Sequence, residues 1–259
     1  MGVCLCFWCK NPKKTLILGG VCLYTLAMLW TNPLSKKLPD YGVISNLEEK
    51  LVVARKLAGE VKDGQVIGVG SGSTSFLALQ EIARTVNDKG YRCRFIPSSR
   101  EIHMTCLALG LTVASLLDAR PDWYFDGADE VDHSRNLIKG RGGAMTREKM
   151  VMVASPKTFI LVDKSKFVER LGAKFPVPVE VNQESANYVE EKLLQLGAAE
   201  TMVRPAKGKD GAIVTESGHF ILDARFENIG AGLEKEIKSI TGVIESGLFW
   251  GYNPEIVSS

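Results

Sequence analysis

The sequence FDGADEVDHSRNLIKGRGGAMTREK at residues 125–149 brings short carboxylates, a lysine and a glycine-rich turn together. Its DGAD corner follows an apolar run, and its Lys-Gly-Arg-Gly-Gly turn precedes a helical pattern. Solvated surface does not need this much glycine, but a backbone that must approach a small polar ligand does. We therefore predict a ligand site where strands pass through tight turns into helices.

Glu148 is the strongest candidate for proton transfer in this stretch. A carboxylate in a partly desolvated pocket can carry a proton between adjacent carbons, while a lysine such as Lys139 and backbone N–H groups stabilise charge that develops on oxygen. The alternative is an ordinary first-turn glutamate that forms salt links with its neighbours Arg147 and Lys149. Spacing alone leaves both interpretations open.

Three aspartates, Asp126, Asp129 and Asp132, stand before the lysine. Short carboxylates suit turn capping and divalent metal ions alike, and we favour the first over a metal site. None of the three histidines pairs with a cysteine or serine in a recognisable nucleophile motif.

A second glycine-rich turn, GSGST at residues 70–74, lies between a short apolar run and a helical pattern. A strand, a turn and a helix N-terminus in this order direct unpaired N–H groups and the positive end of the helix dipole at one point. A phosphate group fits such a point, and the alternative is a plain turn in which Ser73 caps the helix. The turn lacks the Gly-Lys-Ser/Thr ending of a nucleotide P-loop.

Strand and helix patterns alternate from residue 45 to about residue 166. This alternation predicts an α/β fold with a doubly wound, mainly parallel, Rossmann-like sheet. The predicted strands are residues 65–69, 94–97, 111–114, 123–125, 137–139 and 158–162. Residues 70–74 and 126–129 both fall beyond the carboxyl ends of strands, where such sheets bind ligands.

The pattern changes near Pro176 and Pro178. A strand, a helix and a further strand follow, and then residues 212–216 and 219–224 predict a hairpin across Ser217 and Gly218. We predict a smaller α+β domain, residues 175–246, inserted near the C-terminus of a Rossmann-like catalytic domain. Residues 41–174 and 247–259 would form that catalytic domain.

Composition limits the classes of partner and compartment. The formal net charge is +2, and no dense Lys/Arg run carries interleaved aromatic residues, so we do not expect nucleic acid binding. The six cysteines form a terminal group and an isolated pair that do not resemble a disulfide framework. We therefore expect a reducing, cytoplasmic compartment.

Residues 1–40 form a hydrophobic leader that differs from the rest of the chain. An uncharged run at residues 15–30 lies between lysines, but it is short for a membrane-spanning helix, which needs about 20 residues. No small-residue cleavage site follows it. A membrane tether through residues 1–30, organelle targeting, and a mis-assigned or non-functional start remain alternatives.

Six motifs occur in order along the chain: VGSGST, DGADEVD, LIKGRGGAMTREK, VDKSK, FPVPVEV and GVIESGLF. Over about residues 45–250 they resemble ribose-5-phosphate isomerase of the A type. The resemblance implies an aldose–ketose isomerase that interconverts D-ribose 5-phosphate and D-ribulose 5-phosphate through an enediol, in the non-oxidative pentose phosphate pathway, without a metal or organic cofactor. It also implies a homodimer or homotetramer.

The resemblance further implies a role for each matching residue. Glu148 would move the proton between C1 and C2, Asp126 and Asp129 would assist ring opening and handle hydroxyl protons, and Lys139 would stabilise the enediolate. The residues implied in substrate binding are Ser71, Gly72, Ser73, Thr74, Gly127, Ala128, Gly140, Arg141, Gly142 and Lys166.

Two other functions remain open at this level. Arg141 adds a bulky cation beside the site that would contact phosphate, block substrate or point outward. Together with the leader, it motivates a non-catalytic sugar-phosphate sensor on the same fold. A nucleotide-binding Rossmann protein ranks last, because the chain lacks a spaced GxGxxG followed by an acidic residue at a strand end.

Overall fold

The computed structural model describes residues 36–259. Its central feature is a six-stranded sheet in which every neighbouring pair of strands is parallel. The strands are β1 (Val66–Val69), β2 (Arg94–Pro97), β3 (Thr112–Val113), β4 (Trp123–Gly127), β7 (Thr158–Val162) and β13 (Glu255–Ser258). The predicted doubly wound, parallel α/β fold is confirmed.

The strand order β13-β7-β4-β1-β2-β3 places a topological switch point between β1 and β4. From β1 the chain proceeds to β2 and β3 on one side, and it then returns to β4 on the other side. Ligands of doubly wound sheets bind in the crevice beyond the carboxyl ends of the strands at such a point. The turn after β1 and the DGAD corner at the end of β4 therefore meet at the same edge.

Helices cover both faces of this sheet. These helices are α1 (Leu47–Ala58), α2 (Ser73–Lys89), α3 (Arg100–Ala108) and α4 (Met145–Ala154), while α5 (Ala186–Gln195) and α6 (Leu233–Ser239) come later in the chain and pack elsewhere. Alternate residues of a strand point to opposite faces, so Ile67 packs with the core under α1, α2 and α3, while Val66 packs with Val151 and Met152 of α4. The sheet is buried on both sides, as is typical of parallel sheets.

Two smaller antiparallel sheets complete the fold. The four-stranded sheet has the order β11-β8-β10-β9, and the three-stranded sheet has the order β12-β6-β5. Their strands are β5 (Glu130–Val131), β6 (Leu137–Ile138), β8 (Val177–Val181), β9 (Ala198–Val203), β10 (Phe220–Phe226), β11 (Val243–Ser246) and β12 (Leu248–Phe249). The four-stranded sheet packs against α5 and α6 around Val179, Leu193 and Ile237. The division into a domain of residues 41–174 plus 247–259 and a domain of residues 175–246 stays a prediction.

Two details of the sequence prediction are wrong. Residues 137–139 do not extend the parallel sheet, because β6 pairs antiparallel with β5 and β12. Residues 212–216 form no hairpin strand with β10, which pairs with β8 and β9 instead. Thr215 N does donate across the predicted turn to His219 O at 2.9 Å, but the neighbouring groups bond elsewhere: Ile213 N donates to Arg204 O at 3.0 Å, and Glu216 N donates to Gly143 O at 3.0 Å.

The predicted leader at residues 1–40 lies almost entirely outside the described residues. Within residues 36–259, no helix is both long enough and apolar enough to cross a membrane.

Candidate active site

The two glycine-rich turns meet because glycine removes the side chains that would separate them. A Cβ atom added to Gly70 would lie 2.0 Å from Cγ of Asp126. Gly70 N donates to Phe125 O at 2.7 Å, which joins the ends of β1 and β4. The turn after β1 and the carboxylate of Asp126 are thus in direct contact at the switch point.

Asp126 is a fully buried carboxylate with four kinds of donor around it. Its Oδ1 accepts from Gly127 N at 2.7 Å and from Ser75 Oγ at 3.4 Å. Its Oδ2 accepts from the Tyr124 hydroxyl and lies 2.7 Å from Lys139 Nζ. Burial first, and the nearby Glu148 charge second, raise the pKa of Asp126 to about 7, although Lys139 and Tyr124 both lower it.

Lys139 joins the carboxylates of the site. Its ammonium group lies 2.7 Å from Asp126 Oδ2 and 3.2 Å from Glu148 Oε2, and it donates to Gly127 O at 2.6 Å. Burial would lower the pKa of Lys139, but Asp126 and Glu148 outweigh it and raise that pKa above its ordinary value. Lys139 is therefore a cation fixed between two carboxylates, and only 4% of its side chain is exposed.

Glu148 lies in the first turn of α4 and points its carboxylate toward Lys139 and Ser71. Its Oε1 accepts from Ser71 Oγ at 2.5 Å. Its Oε2 is buried and accepts no hydrogen bond of good geometry from the residues that the structure describes; the Lys139 ammonium at 3.2 Å is its ionic neighbour. Glu148 thus has one oxygen bonded to Ser71 and one oxygen whose described neighbour is the Lys139 cation, and a carboxylate in such a pocket can act as a base.

The N-terminus of α2 faces the same space. Gly72 precedes the helix with a φ of 90° and provides no side-chain cap, and the first turn has no acidic residue. The first N–H groups of a helix lack intrahelical partners and favour an anion. Lys50 of α1 adds a positive charge here, because its Nζ donates to Ser73 Oγ at 3.2 Å.

Arg141, Lys166 and Phe175 form one rim of the site. The Arg141 guanidinium lies 5.1 Å from the Phe175 ring centroid, and Lys166 Nζ lies 5.8 Å from it. Arg141 N donates to Asp129 Oδ2 at 3.3 Å. Burial is the main reason that the pKa of Asp129 is raised, with Lys139 and Lys166 opposing it. The Arg141 side chain packs on an aromatic ring at the rim.

These groups surround one open cleft of about 380 Å³. All of the predicted catalytic and substrate-binding residues line it. The lining residues are Ser45, Lys50, Ser71, Gly72, Ser73, Thr74, Asp126, Gly127, Ala128, Asp129, Lys139, Gly140, Arg141, Gly142, Glu148 and Lys166. The cleft lies within the volume range typical of small-molecule sites, roughly 300–1,000 Å³.

Comparison with known proteins places the chain in a family. The model of ribose 5-phosphate isomerase A (phosphoriboisomerase A) matches residues 94–259. Ribose-5-phosphate isomerase A of Archaeoglobus fulgidus is 43% identical over 201 residues, which cover 76% of this chain and 88% of that protein. The chain belongs to the ribose 5-phosphate isomerase A family.

Other members of the ribose 5-phosphate isomerase A family match it over a similar extent. The protein of Methanothermobacter thermautotrophicus is 39% identical over 211 residues, covering 81% of this chain and 92% of that protein. The solved structure of ribose 5-phosphate isomerase A from Methanocaldococcus jannaschii superposes with a TM-score of 0.77 at 39% identity, covering 79% of this chain and 92% of that one. The resemblance drawn from the six motifs is confirmed, and the non-catalytic sensor is not favoured.

Not every residue of the sequence prediction belongs to this isomerase-family site. Asp132 accepts from Asn136 N at 2.8 Å and from Asn136 Nδ2 at 2.9 Å, so it caps a turn. Among residues 36–259, no group of three or more His, Cys, Asp or Glu side chains is placed to hold a metal ion.

Sequence reasoning missed Lys50, Ser45 and Tyr124. Lys50 shares the buried face of α1 with Val53 and Ala54, and a lysine on the apolar face of a helix was the signal. Tyr124 precedes Asp126 by two residues on β4, and the period of a strand puts both side chains on the same face.

Proposed function

We propose that this chain interconverts D-ribose 5-phosphate and D-ribulose 5-phosphate through an enediolate, with Glu148 as the base and without a metal ion. The observation that supports this most strongly is the pairing of Glu148 with Lys139. A carboxylate oxygen without a hydrogen bond lies 3.2 Å from a buried ammonium group, inside a cleft that holds two further carboxylates. This combination supplies a base for a carbon acid and a cation for the oxygen that becomes charged.

Proton transfer at carbon is the central step of the proposal. Glu148 removes the proton from C2 of the open-chain aldose, and the electron pair moves through the new C1–C2 double bond to the aldehyde oxygen O1. Lys139 stabilises the negative charge on O1. Glu148 then delivers a proton to C1, either the one it removed or one that has exchanged with solvent, which gives the ketose without any net oxidation or reduction.

Asp126 and Asp129 transfer protons to and from the substrate oxygens in this proposal. Isomerisation also requires that O1 gains a proton and that O2 loses one, and opening of the furanose ring requires the same kind of transfer. Asp126, whose pKa burial raises to about 7, is able to accept and release a proton near neutral pH. Asp129 lies at the rim, where it accepts from the Arg141 backbone N–H.

The phosphate group of the substrate is proposed to bind at the N-terminus of α2. Residues 71–74 provide N–H groups and hydroxyls, Lys50 lies beside Ser73, and Lys166 lines the same cleft. This arrangement leaves the sugar carbons to extend toward Lys139 and Glu148. A solved relative with 35% identity is in complex with phospho-erythronic acid, so this phosphorylated acid is a suitable binding probe for the chain.

Turnover of ribose 5-phosphate by the full chain, followed by ¹H NMR in the presence of EDTA, tests the proposal. We expect ribulose 5-phosphate at a rate that EDTA does not change. Tight binding of phospho-erythronic acid without turnover would instead support the sensor. Loss of turnover in EDTA that Mg²⁺, Mn²⁺ or Zn²⁺ restores would refute the metal-free mechanism.

Assembly and location are also proposals. We propose a homodimer or homotetramer, as the family resemblance implies, and a cytoplasmic location unless residues 1–30 tether the chain to a membrane or target it to an organelle. Light scattering of the purified chain tests the first. Cell fractionation of the full chain beside a variant that lacks residues 1–30 tests the second.

A further inference from the structure

The loop of residues 139–143, here called the lysine loop, needs support from outside itself. Gly140 and Gly143 have φ values of 96° and 80°, which glycine adopts at little cost. Because glycine has no Cβ atom, it also leaves the backbone of the loop free to adopt other conformations. Within the loop, only Gly143 N donates to Gly140 O, at 3.2 Å, while Lys139 N donates to Gly247 O at 2.9 Å. The Gly140 carbonyl thus has one donor inside the loop, and the Arg141 carbonyl accepts no hydrogen bond from within it.

Arg204 donates to both of these carbonyls from outside the loop. Its Nη1 donates to Gly140 O at 3.0 Å and to Arg141 O at 2.8 Å. Two successive carbonyls of the lysine loop are thus held by one nitrogen atom, although the two partners are more than sixty residues apart in sequence.

Arg204 is itself fixed by the four-stranded sheet. It follows β9, and its Nε donates to Asp223 Oδ2 of β10 at 2.7 Å while its Nη2 donates to Asp223 Oδ1. Its backbone N donates to Ile221 O at 2.9 Å. Both side chains are mostly buried, with 15% of Arg204 and 12% of Asp223 exposed. A planar guanidinium bound on two edges keeps its orientation, which a lysine cannot reproduce.

The hydrogen bonds from Arg204 to the carbonyls of Gly140 and Arg141 determine where the backbone N–H groups of the lysine loop point. No peptide bond in residues 36–259 is cis, and in a trans peptide the N–H lies opposite the C=O. With the Gly140 carbonyl turned to Arg204, the Arg141 N–H points the other way, and it does donate to Asp129 Oδ2. The same geometry turns the Gly142 N–H away from Arg204, and Gly142 lines the cleft.

We propose that Arg204, oriented by Asp223, is a positioning residue that directs the N–H groups of Arg141 and Gly142 into the cleft. By the same contacts it keeps Lys139 Nζ 2.7 Å from Asp126 Oδ2 and 3.2 Å from Glu148 Oε2. The role rests on the proposed isomerase function. It also gives the four-stranded sheet a part in catalysis, because that sheet carries the residue that sets the conformation of the lysine loop.

Steady-state kinetics of the full chain test this role with Arg204→Ala, Arg204→Lys and Asp223→Asn, and with the exposed Arg225→Ala of β10 as the matched control. A displacement of about 1 Å at catalytic groups costs on the order of 10²-fold in rate. We expect kcat to fall by about that factor in Arg204→Ala, with KM changed less than about threefold, while Arg225→Ala keeps parent values. Arg204→Lys should have a melting temperature close to that of the parent but the low kcat of Arg204→Ala, since a single ammonium group cannot bind Asp223 and the loop carbonyls as the planar guanidinium does.

Chemical rescue separates positioning from general support of the fold. Added guanidinium ion should restore part of kcat in Arg204→Ala at concentrations that do not stimulate the parent or Arg225→Ala. Unchanged kcat in Arg204→Ala, or a loss that follows the melting temperature and is not rescued, would overturn the proposal.

A measurement without turnover keeps the two proposals distinguishable. Amide hydrogen exchange of residues 140–143 should be faster in Arg204→Ala than in the parent, and unchanged in Arg225→Ala. If the parent has no isomerase activity, the proposed function fails while exchange still tests the role of Arg204 in ordering the loop. Equal exchange in the parent and Arg204→Ala would refute that role.

Discussion

Replacement of Tyr124 by phenylalanine should move the pH dependence of isomerisation to higher pH. The Tyr124 hydroxyl is fully buried and donates to Asp126 Oδ2, so it stabilises the ionised form of that carboxylate. A hydrogen bond to a charged group contributes about 1.5–3 kcal/mol. Since one pKa unit corresponds to about 1.4 kcal/mol, loss of the hydroxyl should raise the pKa of Asp126 by about one to two pH units.

The direction of this shift in the pH dependence follows from the proposed role of Asp126. If ionised Asp126 accepts the hydroxyl proton, kcat/KM of the parent rises as pH increases through about 7, the pKa that burial gives this group. In Tyr124→Phe the rise should occur about one to two pH units later. The variant should therefore be about 10- to 100-fold slower at pH 6 and should approach the parent above pH 9.

The assay is a profile of kcat/KM against pH for the parent, Tyr124→Phe and the control Tyr252→Phe. Tyr252 also donates to a carboxylate, Glu234 Oε1 at 3.0 Å, but it does not line the cleft. The substrate phosphate titrates identically in all three proteins, so differences between profiles belong to the enzyme. Coincident parent and Tyr124→Phe profiles, or a shift to lower pH, would refute this account of Asp126.

Three further predictions concern the walls of the cleft. Gly70→Ala should lose about 1–3 kcal/mol of unfolding free energy in urea titration, because the new Cβ would lie 2.0 Å from Asp126 Cγ. The control Gly230→Ala should keep the unfolding free energy of the parent, because Gly230 has open space around it. Equal stabilities of Gly70→Ala and the parent would exclude the close contact. Lys50→Ala should raise KM about tenfold or more with little change in kcat, a pattern that a fall in kcat alone would contradict. Lys139→Met should raise the pKa of Asp126, because the Lys139 ammonium lowers it. ¹³C NMR of the Asp126 carboxyl against pH measures this pKa, and an unchanged pKa in Lys139→Met would contradict the prediction.

Much of the fold and the site is predictable because it depends on local chemistry. Glycine-rich turns mark the ends of β1 and β6, and the alternation of strands with helices fixes the parallel sheet, whose switch point brings residues 70–74 and 126–129 together. Six ordered motifs then indicate the family. These inferences require only the order of elements and the chemistry at their ends.

The remainder depends on contacts between distant segments. Lys50 reaches Ser73 only because α1 packs beside α2, and Arg204 reaches the lysine loop only because β9 ends beside it. The predicted hairpin strand at residues 212–216 was wrong for the same reason, since Ile213 N and Glu216 N bond to Arg204 O and Gly143 O rather than to β10. Local turn signals at Ser217 and Gly218 do not reveal such partners.

The most direct test of the central claim compares the parent with Glu148→Gln in D₂O. Glutamine keeps the size of the side chain and still bonds to Ser71, but it cannot accept the proton from C2. We predict that the parent forms ribulose 5-phosphate and incorporates deuterium at C1, and that Glu148→Gln binds phospho-erythronic acid while its turnover falls by about 10²–10⁴-fold or more and deuterium incorporation falls with it. Turnover and incorporation near parent levels in Glu148→Gln would contradict the assignment of Glu148 as the base.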